Sequence, residues 1–139
     1  MVRDELIFKK IYTDENDLIE LKISSVSNYV SIWQKCYIDK KELCECAQKI
    51  YMFSFQNSEE CYIEFGRKTG NYTPSFSMKF FPHDNHGHIT IELDFEINDN
   101  SKRIHRCSFY ISSDIYSVEN FGKALKKLSD CAIGSEVSL

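Results

Sequence analysis

Residues 88–97 constrain the fold more than any other part of the sequence. Apolar residues alternate through this segment with polar ones, and Glu92, Asp94 and Glu96 all fall on the polar side. A period of two residues is typical of a β-strand that has one face in the core and the other in water. The chain must therefore build a sheet, and one face of that sheet must be covered.

Six further segments have the alternation or apolar composition of strands, and two have helical spacing. The predicted strands are residues 6–12, 18–23, 29–38, 61–65, 76–81, 88–97 and 103–111. Asp39, with Glu42 three residues later, predicts the start of the first helix, and Ser117 predicts the N-cap of the second. Gly122 lies on the apolar stripe of the second helix, where we expect the helix backbone to approach the sheet closely.

The order of elements is three strands, a helix, four strands and a helix. Short connections favour antiparallel hairpins. The expected fold is therefore α+β, with a mainly antiparallel sheet of about six or seven strands and two helices packed on one face. The 139 residues are enough for one domain with its own core, which we place at 1–139. The other face of the sheet is expected to stay at least partly open.

Charge and composition exclude several classes of function. Seventeen basic and 21 acidic side chains give a net charge of −4, which argues against nucleic-acid binding. No apolar run reaches the roughly 18 residues of a membrane span, so we expect a cytoplasmic protein. In that compartment the six cysteines should be free thiols.

One local cluster could bind a metal ion. His83, Asp84, His86 and His88 place three imidazoles and a carboxylate within six residues, and both groups are ordinary zinc ligands. Gly87 instead favours a polar turn between two strands. The sequence contains no phosphate-binding loop, nucleophile elbow or zinc-protease motif, so we expect a non-catalytic protein without a cofactor.

Two groups of residues are candidates for binding a protein partner. Glu92, Asp94 and Glu96 project from one strand, either as a recognition surface for a basic partner or as a solvated face paired with Lys79 and Arg106. Trp33 and Tyr37 lie on one side of a strand that is apolar on both sides. Aromatic residues of this kind dominate interfaces when they are exposed, although they also serve as core.

The sequence also resembles a known family over residues 26–128. The matching features are residues 37–43, a helix with Cys46, Ala47 and Ile50, Asp84 with Gly87-His88-Ile89 before the long strand, and Phe121 and Leu125 in the last helix. In these features the chain resembles small bacterial immunity proteins of the WapI type and their uncharacterised relatives. The resemblance implies a protein that binds and neutralises a cognate toxin domain, without catalytic residues.

Three functional hypotheses therefore remain open at the level of sequence. The first is an immunity protein that binds a basic toxin domain through Glu92, Asp94, Glu96, Trp33 and Tyr37. The second is a small metal-dependent enzyme built on His83, Asp84, His86 and His88. The third is a structural domain that forms a homodimer through an open sheet face.

Overall fold

A computed structural model of the chain describes residues 4–56, 59–66, 75–82, 86–100 and 103–139. Eight strands and two helices lie within these residues. They are β1 (Glu5–Thr13), β2 (Leu18–Val26), β3 (Ser31–Asp39), α1 (Lys40–Phe55), β4 (Cys61–Phe65), β5 (Ser75–Pro82), β6 (His88–Asn100), β7 (Arg103–Asp114), α2 (Ile115–Leu128) and β8 (Glu136–Ser138). None of the described helices is both long and apolar enough to cross a membrane.

The strands form two antiparallel sheets of four. The first sheet has the order β3-β2-β1-β8 and the second has the order β4-β5-β6-β7. The predicted α+β class, antiparallel pairing and two helices are confirmed. The expected six or seven strands in one sheet become eight in two. The eighth, β8, has only three residues and is too short to show an alternating pattern. The division into two sheets could not be predicted, because alternation does not show which strands are neighbours.

Each helix carries the chain from one sheet to the other. Helix α1 joins β3, an edge of the first sheet, to β4, an edge of the second, and α2 joins the opposite edge β7 to β8. Three consecutive strands of the first sheet precede α1 and four of the second precede α2, and β8 completes the first sheet after α2. A chain that changes sheets only through helices cannot form a hairpin between β3 and β4.

The inner faces of the two sheets share one core. The ring of Phe8, on β1, lies 5.0 Å from that of Phe65 and 5.8 Å from that of Phe76, both of which belong to the second sheet. The Phe121 ring, on α2, lies 5.3 Å from the same Phe8 ring. A single side chain of the first sheet thus contacts the second sheet and a helix.

Both helices begin at an aspartate that follows a strand directly. Asp39 accepts a hydrogen bond from the Glu42 amide at 2.8 Å, as predicted. The predicted N-cap at Ser117 is wrong, because Asp114 accepts from the Ser117 amide at 2.8 Å and the helix starts at Ile115. Aspartate and serine both cap helices well. Asp114 is the cap here because β7 ends at Asp114 and the helix begins at the next residue.

The helices run antiparallel and pack closely on each other at Gly122. Lys40, at the start of α1, pairs with Asp130, just after α2, at 2.7 Å. A Cβ atom on Gly122 would lie 2.9 Å from the Tyr51 amide nitrogen and 3.1 Å from its Cα. The close approach expected at Gly122 is present, but its neighbour is α1 and not the sheet.

Lys10 joins the first strand to the segment that follows α2. Its residue is 5% exposed, and its Nζ donates to the carbonyl oxygens of Ser129 and Cys131, each at 2.8 Å. These carbonyls lie at and just after the end of α2, where the helix itself supplies no partners. The ammonium group of Lys10, on β1, thus supplies hydrogen bonds to carbonyl oxygens at the C-terminal end of α2.

All six cysteines are free thiols. Burial raises the pKa of Cys36 to about 12 and that of Cys46 to about 11. Because the thiolate is the reactive form of cysteine, burial keeps both of these side chains chemically quiet.

Candidate binding faces

The acidic residues singled out from the sequence lie on the outer face of the second sheet. We call this the acidic face and define it by Glu64, Glu92, Asp94 and Glu96 with the cations Lys79 and Arg106. In the strand register Lys79 is opposite Glu92 and Arg106 is opposite Glu96. Four carboxylates stand against two cations, so the face keeps an excess of negative charge.

Asp94 is the structural anchor of this face. Its carboxylate accepts from Arg106 at 2.9 Å through Nη2 and at 3.3 Å through Nε, and the residue is only 8% exposed. The same hydrogen bonds, followed by the attraction of Asp94, raise the pKa of the Arg106 guanidinium. A bidentate pair of this kind holds β6 and β7 together and leaves little of Asp94 for a partner.

Two tyrosines flank the acidic face, and sequence reasoning did not find them. The Tyr110 hydroxyl donates to Glu92 Oε2 at 2.8 Å, and the Tyr62 hydroxyl donates to Glu64 Oε1 at 2.7 Å. Their residues are 59% and 49% exposed. Each tyrosine lies on the polar side of its own strand, but only the register across β4, β5, β6 and β7 places them in one row with Lys79 and Glu92.

Both flanking tyrosines have a pKa above the ordinary value. The bond to Glu92, followed by the charge of that carboxylate, raises the pKa of Tyr110. Burial is the largest cause of the raised pKa of Tyr62, followed by the bond to Glu64. Both phenols therefore stay neutral near pH 7 and offer amphipathic rings next to carboxylates.

Trp33 and Tyr37 lie on a different surface, the outer face of the first sheet. They are 55% and 54% exposed, and the Lys22 ammonium sits 4.9 Å from the centre of the Trp33 ring. A hydrogen bond from the Tyr37 hydroxyl to Glu20 raises the pKa of Tyr37. The fold therefore brings Glu92, Asp94 and Glu96 together, but it does not bring them together with the two aromatic residues.

The histidine cluster lies only partly in the described residues. His83 and Asp84 are outside them, whereas His86 and His88 occupy exposed positions around Gly87, which has a φ of +82°. A positive φ at Gly87 fits the turn that the sequence predicts before β6. Among the described residues no three His, Cys, Asp or Glu side chains are grouped as a metal ion would need.

Comparison with family models, curated proteins and solved structures finds no match to this chain. The resemblance to immunity proteins of the WapI type therefore stays a prediction.

Proposed function

We propose that this chain is a non-catalytic binding protein of the immunity type, which contacts a basic partner through its acidic face. The observation that carries the proposal is the outer face of the second sheet, where carboxylates outnumber cations between two exposed tyrosines. Charges at a protein surface steer a partner of opposite sign and exclude partners of like sign. Exposed tyrosines supply the contact area that interface centres need.

The acidic residues divide into two roles under this proposal. Asp94 holds Arg106 and positions the strands, whereas Glu92 and Glu96 are half-buried and keep surface that a partner can reach. Tyr62 and Tyr110 then provide the apolar contact on each side. A toxin domain with a lysine- and arginine-rich active surface is the partner class that fits this face, and the sequence resemblance points to the same class.

The direct test reverses charge on the acidic face without breaking its anchor. The variant Glu92→Lys with Glu96→Lys keeps Asp94 in place, so that its hydrogen bonds with Arg106 still join β6 and β7. When this variant is co-expressed with the cognate toxin domain that the proposal requires, we expect protection from growth arrest to be lost. Binding of the purified pair should weaken at least about tenfold, which corresponds to about 1.4 kcal/mol.

A matched control separates this effect from a change in net charge. Glu15, in the β1–β2 turn, and Glu45, on α1, are exposed, so Glu15→Lys with Glu45→Lys changes the total charge by the same amount elsewhere. This control should protect as well as the parent chain. Protection retained by the acidic-face variant would remove that face from the interface, and protection lost only by Trp33→Ser with Tyr37→Ser would move the interface to the first sheet.

A further inference from the structure

The last strand of the second sheet has an open edge of unusual length. Strand β7 has 12 residues, and among the described residues its only strand partner is β6. The Ile115 amide bonds to the Gly87 carbonyl at 2.9 Å, which makes His88 and Asp114 a non-hydrogen-bonded pair. Odd-numbered residues of β7 therefore bond to β6, and even-numbered residues turn their N–H and C=O groups outward.

A side chain confirms this direction and marks where the open edge stops. Asp4 Oδ2 accepts from the amide of Ser112, an even-numbered residue, at 2.9 Å. The outward groups that follow from the same parity belong to Ile104, Arg106, Ser108 and Tyr110. In the described part of the chain, no backbone or side-chain group bonds to those four amides.

The side chains along this edge are exposed on both faces of the sheet. Ile104 and Tyr110, on the outer face, are 61% and 59% exposed, and Cys107 and Phe109, on the inner face, are only half-buried. Folded proteins usually protect a sheet edge by making it short, by a bulge or by proline. Of the four edge strands, β4 and β8 are short and β3 has nine residues, whereas β7 is the longest with 12 and contains no proline.

We propose that a second copy of this chain pairs along this edge, with its β7 antiparallel to β7 across a two-fold axis. The four open residues fix the register, because a symmetric pairing that uses all of them must be centred on Cys107. Ile104 then pairs with Tyr110 of the second copy, and Arg106 pairs with Ser108 of the second copy. This arrangement forms about eight backbone hydrogen bonds and joins the two second sheets into one.

The chemistry of β7 is complementary in this register. Ile104 of each copy meets the Tyr110 ring of the other, which is a favourable cross-strand pair. Arg106 of one copy lies opposite Ser108 of the other, and Asp94 is the neighbour of Ser108 on β6. The arginine of each copy thus lies one strand away from a carboxylate of the other copy. No like charges stand directly opposite each other.

The inner face of the joint gives a chemical signature. Cys107 faces Cys107 of the second copy as a non-hydrogen-bonded pair, with Cα atoms about 4.5 Å apart. That separation lies within the range that a disulfide spans. Diamide oxidises two thiols to a disulfide and is itself reduced to the hydrazine, so it can record this contact covalently.

The first test measures the mass of the full chain in solution by light scattering at about 10 to 500 µM. We expect a dimer, and a mass halved in Ser108→Pro, because the Ser108 amide lies outside the β6–β7 ladder and proline is tolerated at such an edge position. The control is Lys35→Pro on β3, the edge of the first sheet. The Lys40 amide bonds to the Asp17 carbonyl, so even-numbered residues of β3 bond to β2 and the amide of Lys35 points away from it. This control should remain a dimer, and circular dichroism should show that both variants are folded.

The second test treats the folded chain with diamide and separates it on a non-reducing gel. We expect a covalent dimer that disappears in Cys107→Ser and persists in Cys131→Ser. A parent chain that is monomeric throughout the concentration range would overturn the proposal. So would a dimer that survives Ser108→Pro, or one that Lys35→Pro disrupts instead. Because neither measurement includes a toxin, failure here is distinguishable from failure of the proposed function.

Discussion

Cys36 shows how position alone decides what a reactive side chain can do. The thiol points from β3 into the core, where it is fully buried. Burial, followed by the charge of Glu20, raises its pKa from the ordinary value of 9.0 to about 12. The folded chain therefore holds the Cys36 proton over a pH range in which the unfolded chain releases it.

This difference predicts a loss of stability at alkaline pH. A group whose pKa is raised by folding stabilises the folded state fully below its unfolded value, and the stabilisation is lost as pH rises from about 9 towards 12. Between pH 8 and pH 10.5 the parent chain should lose about 2 kcal/mol more free energy of unfolding than Cys36→Val. Urea unfolding at the two pH values measures this, and equal losses in both proteins would show that the thiol does not carry the effect.

At the scale of elements, the pair of helices depends on the absence of one side chain. Gly122 lies where α2 crosses Tyr51 of α1, and the nearest atoms to a new Cβ would be backbone atoms, which cannot rotate away. Intrinsic propensity favours alanine over glycine in a helix by about 1 kcal/mol. Packing opposes this preference, because a clash with backbone must be relieved by moving a whole helix.

We expect packing to win in Gly122→Ala. The variant should unfold at lower urea concentration, with a net loss of about 1 to 3 kcal/mol. Asn120→Ala is the matched control, since Asn120 is an exposed residue of the same helix and should gain a few tenths of a kcal/mol from propensity. A stabilised Gly122→Ala would mean that the helices separate easily at this point.

The elements were the most predictable part of the fold. The alternation in β6 and the Asp39 cap gave their positions to within a few residues, because a period and a capping residue are local properties. The start of α2 was less certain, because Asp114 and Ser117 compete for one role within three residues. Strand β8 carries no local signal and is fixed only by its pairing with β1.

At the scale of the whole molecule, one core serves both sheets. Phe8 contacts Phe65 and Phe76 across the interior, so neither sheet can keep its packing when the other unfolds. Such sharing favours a single cooperative transition. We therefore expect the two sheets to unfold together, even though their strands form two separate hydrogen-bonded ladders.

The variant Phe8→Ala tests this shared core. We expect a destabilisation of about 3 to 5 kcal/mol without a second transition, because the cavity would open between the sheets. Trp33 fluorescence reports on the first sheet, and far-ultraviolet circular dichroism reports on all elements. The two urea curves should coincide in the parent chain and in the variant, and a separate early change in Trp33 fluorescence would contradict a common core.

The division into two sheets also explains which part of the binding surface the sequence could not predict. Alternation shows which residues share one side of a strand, as Glu92 and Asp94 do, but it does not show which strands are neighbours. The acidic residues share one strand, so they could be grouped correctly. Trp33 and Tyr37 could not be separated from them, and Tyr62 and Tyr110 could not be joined to them, without knowledge of the register.

The pairing of β8 with β1 sets the order in which a growing chain can be completed. Strand β1 leaves the ribosome long before β8, because its neighbour at Ser138 lies more than a hundred residues further along the chain. Until then one edge of β1 has no strand partner. The ammonium group of Lys10 also lacks the carbonyl oxygens of Ser129 and Cys131 to which it donates in the folded protein. The first sheet therefore becomes complete only after β8 has been synthesised, long after its other three strands.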